Sequence, residues 1–317
     1  MSGDIQFGRS YFFDFIGRNS EFSERISGLR MSFQIEKNLT ELPNPARFSV
    51  YNMNPAHREQ IEEPEVYCSL NAGFGANPPL VFMGSIVDAY SEQSGTDIIT
   101  HLEVRDGFVN WRDEITSIAF SPTEQSKNVL KKNANQYASA ENILRYAAKD
   151  MGLPIRFDPS LPKYVFKNGF SYYGAAREAI ARVCKAAGYR WSIQDGVIRI
   201  HSPIWSITDS GILLTPETGL IGSPQRLRRS ARQTAKVKDE ESGKNVRVQT
   251  SSPKYDGWRV TCLLRPTLLP GDYYIVQSKN DPFKKEKTLK ATQVRHAGDT
   301  HSRLWHTEIE SDDRAEA

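Results

Sequence analysis

Strict alternation of apolar and polar residues constrains this chain more than any other feature. Leu29, Met31, Phe33 and Ile35 alternate with Arg30, Ser32, Gln34 and Glu36. A period of two places one set on a buried sheet face and leaves the other in water. After the breaker Leu42-Pro43-Asn44-Pro45 the pattern resumes at Ala46, Phe48 and Val50. Residues 66–72 and 80–87 predict two more strands, joined by a Gly- and Pro-rich loop. Ile98, Thr100, Leu102 and Val104 alternate again, with His101, Glu103 and Arg105 on the other face. Asn54-Pro55 predicts a short helical turn, Asn54 capping it and Pro55 filling its first position. Short strands with so little helix between them predict an antiparallel barrel or sandwich over residues 1–120.

The pattern changes after residue 120. Ser139 is suited to cap a helix whose stripe is Ile143, Leu144, Ala147, Ala148 and Met151, stopped by Gly152 and Pro154. A second helix is predicted from Ser171, behind Phe170, with Ala175, Ala179, Ile180, Val183 and Ala187 buried and Gly188 at its end. Asp195-Gly196 between two alternating runs predicts a type I′ hairpin. These elements make a small helix-sheet insert at 121–205. Beyond it, β grammar returns over 206–317. Residues 213–224 read as a Pro- and Gly-punctuated loop, 260–278 as strand, turn, strand, and 294–310 as two strands turning at Ala297-Gly298-Asp299. The charged spacer 225–254 buries little apolar surface, so it reads as an exposed loop or extended hairpin. The acidic tail 311–317 reads as disordered.

Chemistry is scarce. No GxSxG, HExxH, Walker loop or helix-opening GxGxxG occurs. Gly73-Phe74-Gly75 leads into Pro78-Pro79, which blocks the helix a phosphate would need. Cys68, Cys184 and Cys262 are too far apart for a CxxC pair. His296, His301 and His306, near Asp299, fall five residues apart, a spacing that alternates faces of a strand and does not converge on one ion. No cofactor is expected. With 41 basic against 38 acidic residues the charge is near balance and argues for no nucleic-acid partner. No stretch approaches 18 consecutive apolar residues, so membrane insertion is not expected. The N-terminus lacks the basic start of a signal peptide, and a cytoplasmic chain is expected. Candidate contacts with partners are the aromatics Tyr11, Phe12 and Phe13, the loop residues Pro216, Glu217, Leu220 and Ile221, and the basic run Arg226, Arg228, Arg229 and Arg232. That run has no interleaved aromatics for base stacking. A rival reading takes Glu217 and Asp272 as acid and base of a cell-wall hydrolase. A third takes the basic run as a nucleic-acid site.

One resemblance spans nearly the whole chain. It rests on the strand Met31 to Lys37, the segment Pro43-Asn44-Pro45-Ala46-Arg47-Phe48-Ser49-Val50-Tyr51-Asn52-Met53, the strand Tyr67 to Gly73 and Phe82-Met83-Gly84-Ser85-Ile86. It continues with Thr215 to Pro224, Leu263-Leu264-Arg265-Pro266, Pro270-Gly271-Asp272, and His296-Ala297-Gly298-Asp299-Thr300 with Trp305. In order and spacing these blocks resemble the T4-type bacteriophage baseplate hub family. The resemblance implies a mainly β fold with an α+β insert: two tail-tube-like antiparallel β-barrel or sandwich domains flanking a small helix-sheet domain. It implies a non-enzymatic homotrimer forming a pseudo-six-fold ring that joins the tail tube protein to a central spike or tail-tip protein. Other baseplate subunits would surround it, and DNA would pass through its lumen without specific binding. Such a protein is made in the host bacterial cytoplasm and ends in the virion tail. The family pattern has no counterpart of the spacer 225–254.

Overall fold

The computed structural model describes residues 8–312 apart from 18–22, 64, 123–137, 203–210, 239–244 and 281. Among them the N-terminal strands are β1 (Arg9–Gly17), β2 (Ser23–Ile26), β3 (Met31–Asn38) and β4 (Pro45–Tyr51), then helix α1 (Pro55–Ile61), β5 (Val66–Phe74), β6 (Leu80–Ser94) and β7 (Asp97–Arg105). Helix α2 (Phe108–Asp113), β8 (Ile115–Phe120), α3 (Ala140–Asp150), β9 (Ile155–Phe157), β10 (Phe170–Ala175), α4 (Ala176–Ala187), β11 (Arg190–Gln194) and β12 (Val197–His201) follow. The last strands are β13 (Leu213–Leu214), β14 (Leu220–Lys238), β15 (Asn245–Leu263), β16 (Tyr273–Val276), β17 (Lys287–Asp299) and β18 (Trp305–Asp312).

The architecture is mainly β with an α+β insert. One sheet runs β14-β15-β18-β17-β3-β4-β7-β6-β5-β1-β2, so β17 and β3, far apart in sequence, are hydrogen-bonded neighbours. Phe13, Phe33, Phe48, Phe82 and Leu102 fill a core under the N-terminal strands, and Trp258, Val260, Val294 and Ile309 fill another under the C-terminal ones. A third core packs α3 and α4 on β11, β12 and β8. In α3, the Ser139 hydroxyl accepts from Asn142 N, and Ile143, Leu144, Ala147 and Ala148 are buried as their spacing predicts. In α1, Asn54 accepts from Ala56 N. Asp195 and Gly196 have φ of 52° and 73°, both positive as a type I′ turn requires.

Four sequence expectations are corrected. Residues 170–175 form β10 and the helix begins only at Ala176. Tyr172 and Tyr173 pair with Ile118 and Ser117 of β8, a distant partner that overrides the local helical pattern. The stretch 213–224 is not a loop throughout. It contains β13, a 3₁₀ turn at Pro216–Thr218 and the start of β14, with Thr215 accepting from Thr218 N. Ala297-Gly298-Asp299 continue β17, and the chain turns at 300–303. Gly298 is needed for packing rather than for turning: a Cβ there would come 2.4 Å from the Phe33 ring and 2.8 Å from Trp305. Gly298→Ala is therefore expected to cost about 1–3 kcal/mol, read as a lower denaturant midpoint. Finally, Tyr11, Phe13 and Leu220 are not contact surface. Phe13 is wholly buried, and Tyr11 and Leu220 are 9% and 7% exposed, because β1 and β14 turn these side chains into the chain's own cores.

Candidate functional site

Two strand sets in the long sheet share one construction. The first runs β3-β4-β7-β6 and the second β14-β15-β18-β17. A shorter strand, β5 or β16, pairs antiparallel with the first part of β6 or β17, and Tyr67 and Tyr273 take the same place in these pairings, opposite Ser85 and Lys290. A bulge interrupts β6 between Ile86 and Asp88 and β17 between Ala291 and Gln293. Counted from those bulges, Thr100 faces Ser91 and Thr307 faces His296. Both threonines are fully buried, and these pairs are hydrogen-bonded at 3.0 and 2.9 Å. Arg47 faces Glu103 across β4 and β7, and Arg259 faces Glu310 across β15 and β18. Both are ion pairs, at 3.2 and 3.1 Å.

The sets meet head to tail at β17 and β3, where Arg295 stands opposite Glu36, His296 opposite Ile35 and Ala297 opposite Gln34. Alternation turns Gln34, Glu36 and Arg295 to one side and Phe33, Ile35 and Val294 to the cores, and it turns Lys37 inward as well. Arg295 Nη1 lies 3.1 Å from Glu308 and 3.2 Å from Glu310, and its Nη2 lies 3.5 Å from Glu36. Partial burial works against the Arg295 charge, but the Glu308 hydrogen bond and the carboxylates of Glu36, Glu310 and Glu308 hold the guanidinium above its ordinary pKa. An open depression over the seam is lined by Gln34, Glu36, Arg47, Glu103, Arg105 and Arg295. Guanidiniums and carboxylates interleave across it, so the face has no field of one sign.

Beneath the seam the insert is tied down by buried charge. Lys37, wholly buried, places Nζ 2.7 Å from both carboxylate oxygens of Asp195 at the hairpin tip. The buried Asp106 carboxylate accepts from Asp195 N at 2.6 Å and Gly196 N at 2.7 Å. Asn44 Nδ2 donates to Ile193 O, and Gln194 Nε2 donates to Asn38 O. Burial raises Asp106 to about 7, and Asp195 adds to the rise, while the Gly196 N–H, Lys37 and the Asp195 N–H oppose it. The interleaved ion pairs and this clasp were missed from sequence, although the polar residues alternating with Phe33 and Leu102 were a signal for the former.

The remaining candidates lie elsewhere. Phe12 is half-buried, with the Arg25 guanidinium 5.1 Å from its ring centroid. Pro216, Glu217 and Ile221 are exposed. Arg226 is exposed, 4.9 Å from the Trp258 ring centroid. Arg228, Arg229 and Arg232 lie on β14, their side chains outside the described residues. The spacer forms an antiparallel ribbon, Arg228 opposite Tyr255 and Lys238 opposite Asn245. Its tip lies outside the described residues. Of the tail 311–317, Ser311 and Asp312 are not disordered but end β18, with Ser311 fully buried, because they pair with β15 and β17; residues 313–317 lie outside the described residues.

Glu217 and Asp272 are not brought together. The parallel pairing of Leu213 with Ile275 and Leu214 with Val276 puts Glu217 beyond one end of the strand pair and Asp272 before the other. Hydrogen bonds from its own backbone N–H and from Thr215 hold Glu217 below the ordinary carboxylate range, whereas burial raises Asp272. His296 is buried and His301 exposed. Among the described residues no group of three His, Cys, Asp or Glu could hold a metal ion. All three cysteines are buried free thiols, and burial pushes Cys262 up to about 12.

No family model matches the sequence, and no curated protein matches it. Solved structures do. The 43 kDa tail protein of prophage MuSo2 from Shewanella oneidensis superposes with a TM-score of 0.60 at 13% identity, covering 95% of this chain and 96% of that one. A tail protein from Neisseria meningitidis MC58 superposes with a TM-score of 0.57 at 11% identity, covering 97% of each chain. Over nearly its whole length, this chain has the fold of these tail proteins.

Proposed function

We propose that this protein is the structural hub of a phage tail baseplate, three copies forming a pseudo-six-fold ring that connects the tail tube to the central spike or tail tip. The observation that carries the reading is the repeated strand set joined head to tail within one chain. A subunit with two like elements lets a three-fold assembly present six like positions to a six-fold tube. In this reading the two tube-like domains lie within residues 1–120 and 206–317, the insert 121–205 lies at the ring's periphery or toward the spike with β8 of 115–120 packed on it, and the ribbon within 225–254 meets a neighbouring subunit. The protein acts by assembly in the virion, after synthesis in the host cytoplasm, and catalyses nothing.

The charge-interleaved face over β17 and β3 would line the lumen. A uniformly basic wall would bind phosphates and release counterions, slowing DNA passage. Guanidiniums already paired with carboxylates avoid this. Mass measurement and negative-stain imaging of the purified protein, alone and with tube and spike components, test the reading. A ring of three is expected, and a strict monomer that binds neither component overturns it.

A further inference from the structure

The junction inside the chain is a template for one between chains. β17 uses one edge for β18 and divides the other between β16 and β3. β6 is built in the same way: one edge takes β7, and the first part of the other takes β5. Past the bulge, residues 88–94 of that second edge have no strand partner among the described residues, in the place where β17 receives β3. The counterpart of β3 is β14, which pairs only with β15 among the described residues and ends the sheet.

We infer that β14 of one copy pairs antiparallel with residues 88–94 of β6 in the next copy, in the register that β3 and β17 use within the chain. The occupant of each open edge is thus a second copy of this chain, and the inference rests on the ring reading above. The register follows from the shared positions. Arg295, His296 and Ala297 face Glu308, Thr307 and His306, as Tyr90, Ser91 and Glu92 face His101, Thr100 and Ile99. Gln225 faces Arg259 as Gln34 faces Arg47. The pairs expected across the joint are therefore Tyr90 with Leu227, Ser91 with Arg226 and Glu92 with Gln225.

The surfaces suit such a joint. Val87 and Tyr90 are 44% and 51% exposed on β6, and Ile221 is 44% exposed on β14, an apolar load that an unpaired edge rarely carries. In this register Glu92 and Gln225 share one face of the sheet, and Ser91 and Arg226 share the other. A head-to-tail contact that repeats the rotation already present at β17 and β3 continues the sheet from copy to copy, and closes where that rotation completes a circle.

Paired cysteines test the register in the full-length protein. Two double variants, Glu92→Cys with Gln225→Cys and Ser91→Cys with Arg226→Cys, take adjacent rungs. Directly opposed Cα atoms lie about 4.5 or 5.5 Å apart, within disulfide reach. Mild oxidation is expected to give a covalent ladder on a denaturing gel that stops at three chains. Ser94→Cys with Leu227→Cys, out of register, is expected to stay uncrosslinked. Thermal melts matching the parent show that the variants fold. A ring seen by mass that crosslinks at neither in-register pair, or equally well at the control pair, overturns this inference and leaves the hub reading standing. A chain that stays monomeric at every concentration and binds no tail component overturns both.

Discussion

Lys37→Met is expected to lower stability at pH 7 by about 3–5 kcal/mol. Lys37 is wholly buried on β3, and its Nζ holds both oxygens of Asp195. Methionine fills similar volume, so the loss comes from charge and not from a cavity. It leaves the Asp195 carboxylate without a cation in a site of low dielectric, while Asp106, no longer held down by Lys37, keeps its proton. Chemical denaturation measures the effect, and adding Asp195→Asn to the variant is expected to recover part of it by removing one stranded charge. A loss below about 1 kcal/mol, the range of exposed pairs, would show that water reaches the clasp.

The second large effect is on pH dependence. Asp106 titrates near 7 when folded and near 3.9 when unfolded, so the folded chain holds this proton more tightly. Its contribution to stability is complete below about pH 4 and is lost as pH rises through about 7, a swing of roughly 4 kcal/mol. His296 acts with the opposite sign. Burial, then Lys37 and His306, hold its pKa well below the ordinary value, so its contribution is lost as pH falls below about 6.5. The two must be separated by difference. Asp106→Asn keeps one acceptor for the hairpin turn and removes the proton. Stability of wild type minus that of the variant is expected to fall between pH 4 and pH 7 and to be flat above. A difference independent of pH would place the titration elsewhere.

Several parts of the fold were legible because their causes are local. Asn54 and Ser139 cap helices by reaching residues two and three positions ahead, and Asp195-Gly196 makes its turn with its own backbone. Alternation along β3, β4 and β7 gave the buried face correctly, and the ordered blocks led to the right fold. That the two β regions repeat one element was implied by the resemblance alone; residue against residue the repeat was hidden, because the two sets share only scattered single residues, such as Arg47 with Arg259 and Glu103 with Glu310. Gly298 read as a turn because nothing nearby in the chain reveals the Phe33 ring against it. The second helix began too early because the partner of Tyr172, Ile118 of β8, lies outside any local window.

By itself the sequence determined which segments are strands and helices, which face of each is apolar, and where several of them begin. Those properties follow from spacing and from hydrogen bonds within a few residues. Only the tertiary structure decided which strand edges are used and which are left open, that Lys37 spends its charge on a residue 158 positions away, and that two distant strand sets join into one sheet at β17 and β3. Such pairings depend on register between segments that meet only after folding, and a period of two is the same in every register that differs by two residues.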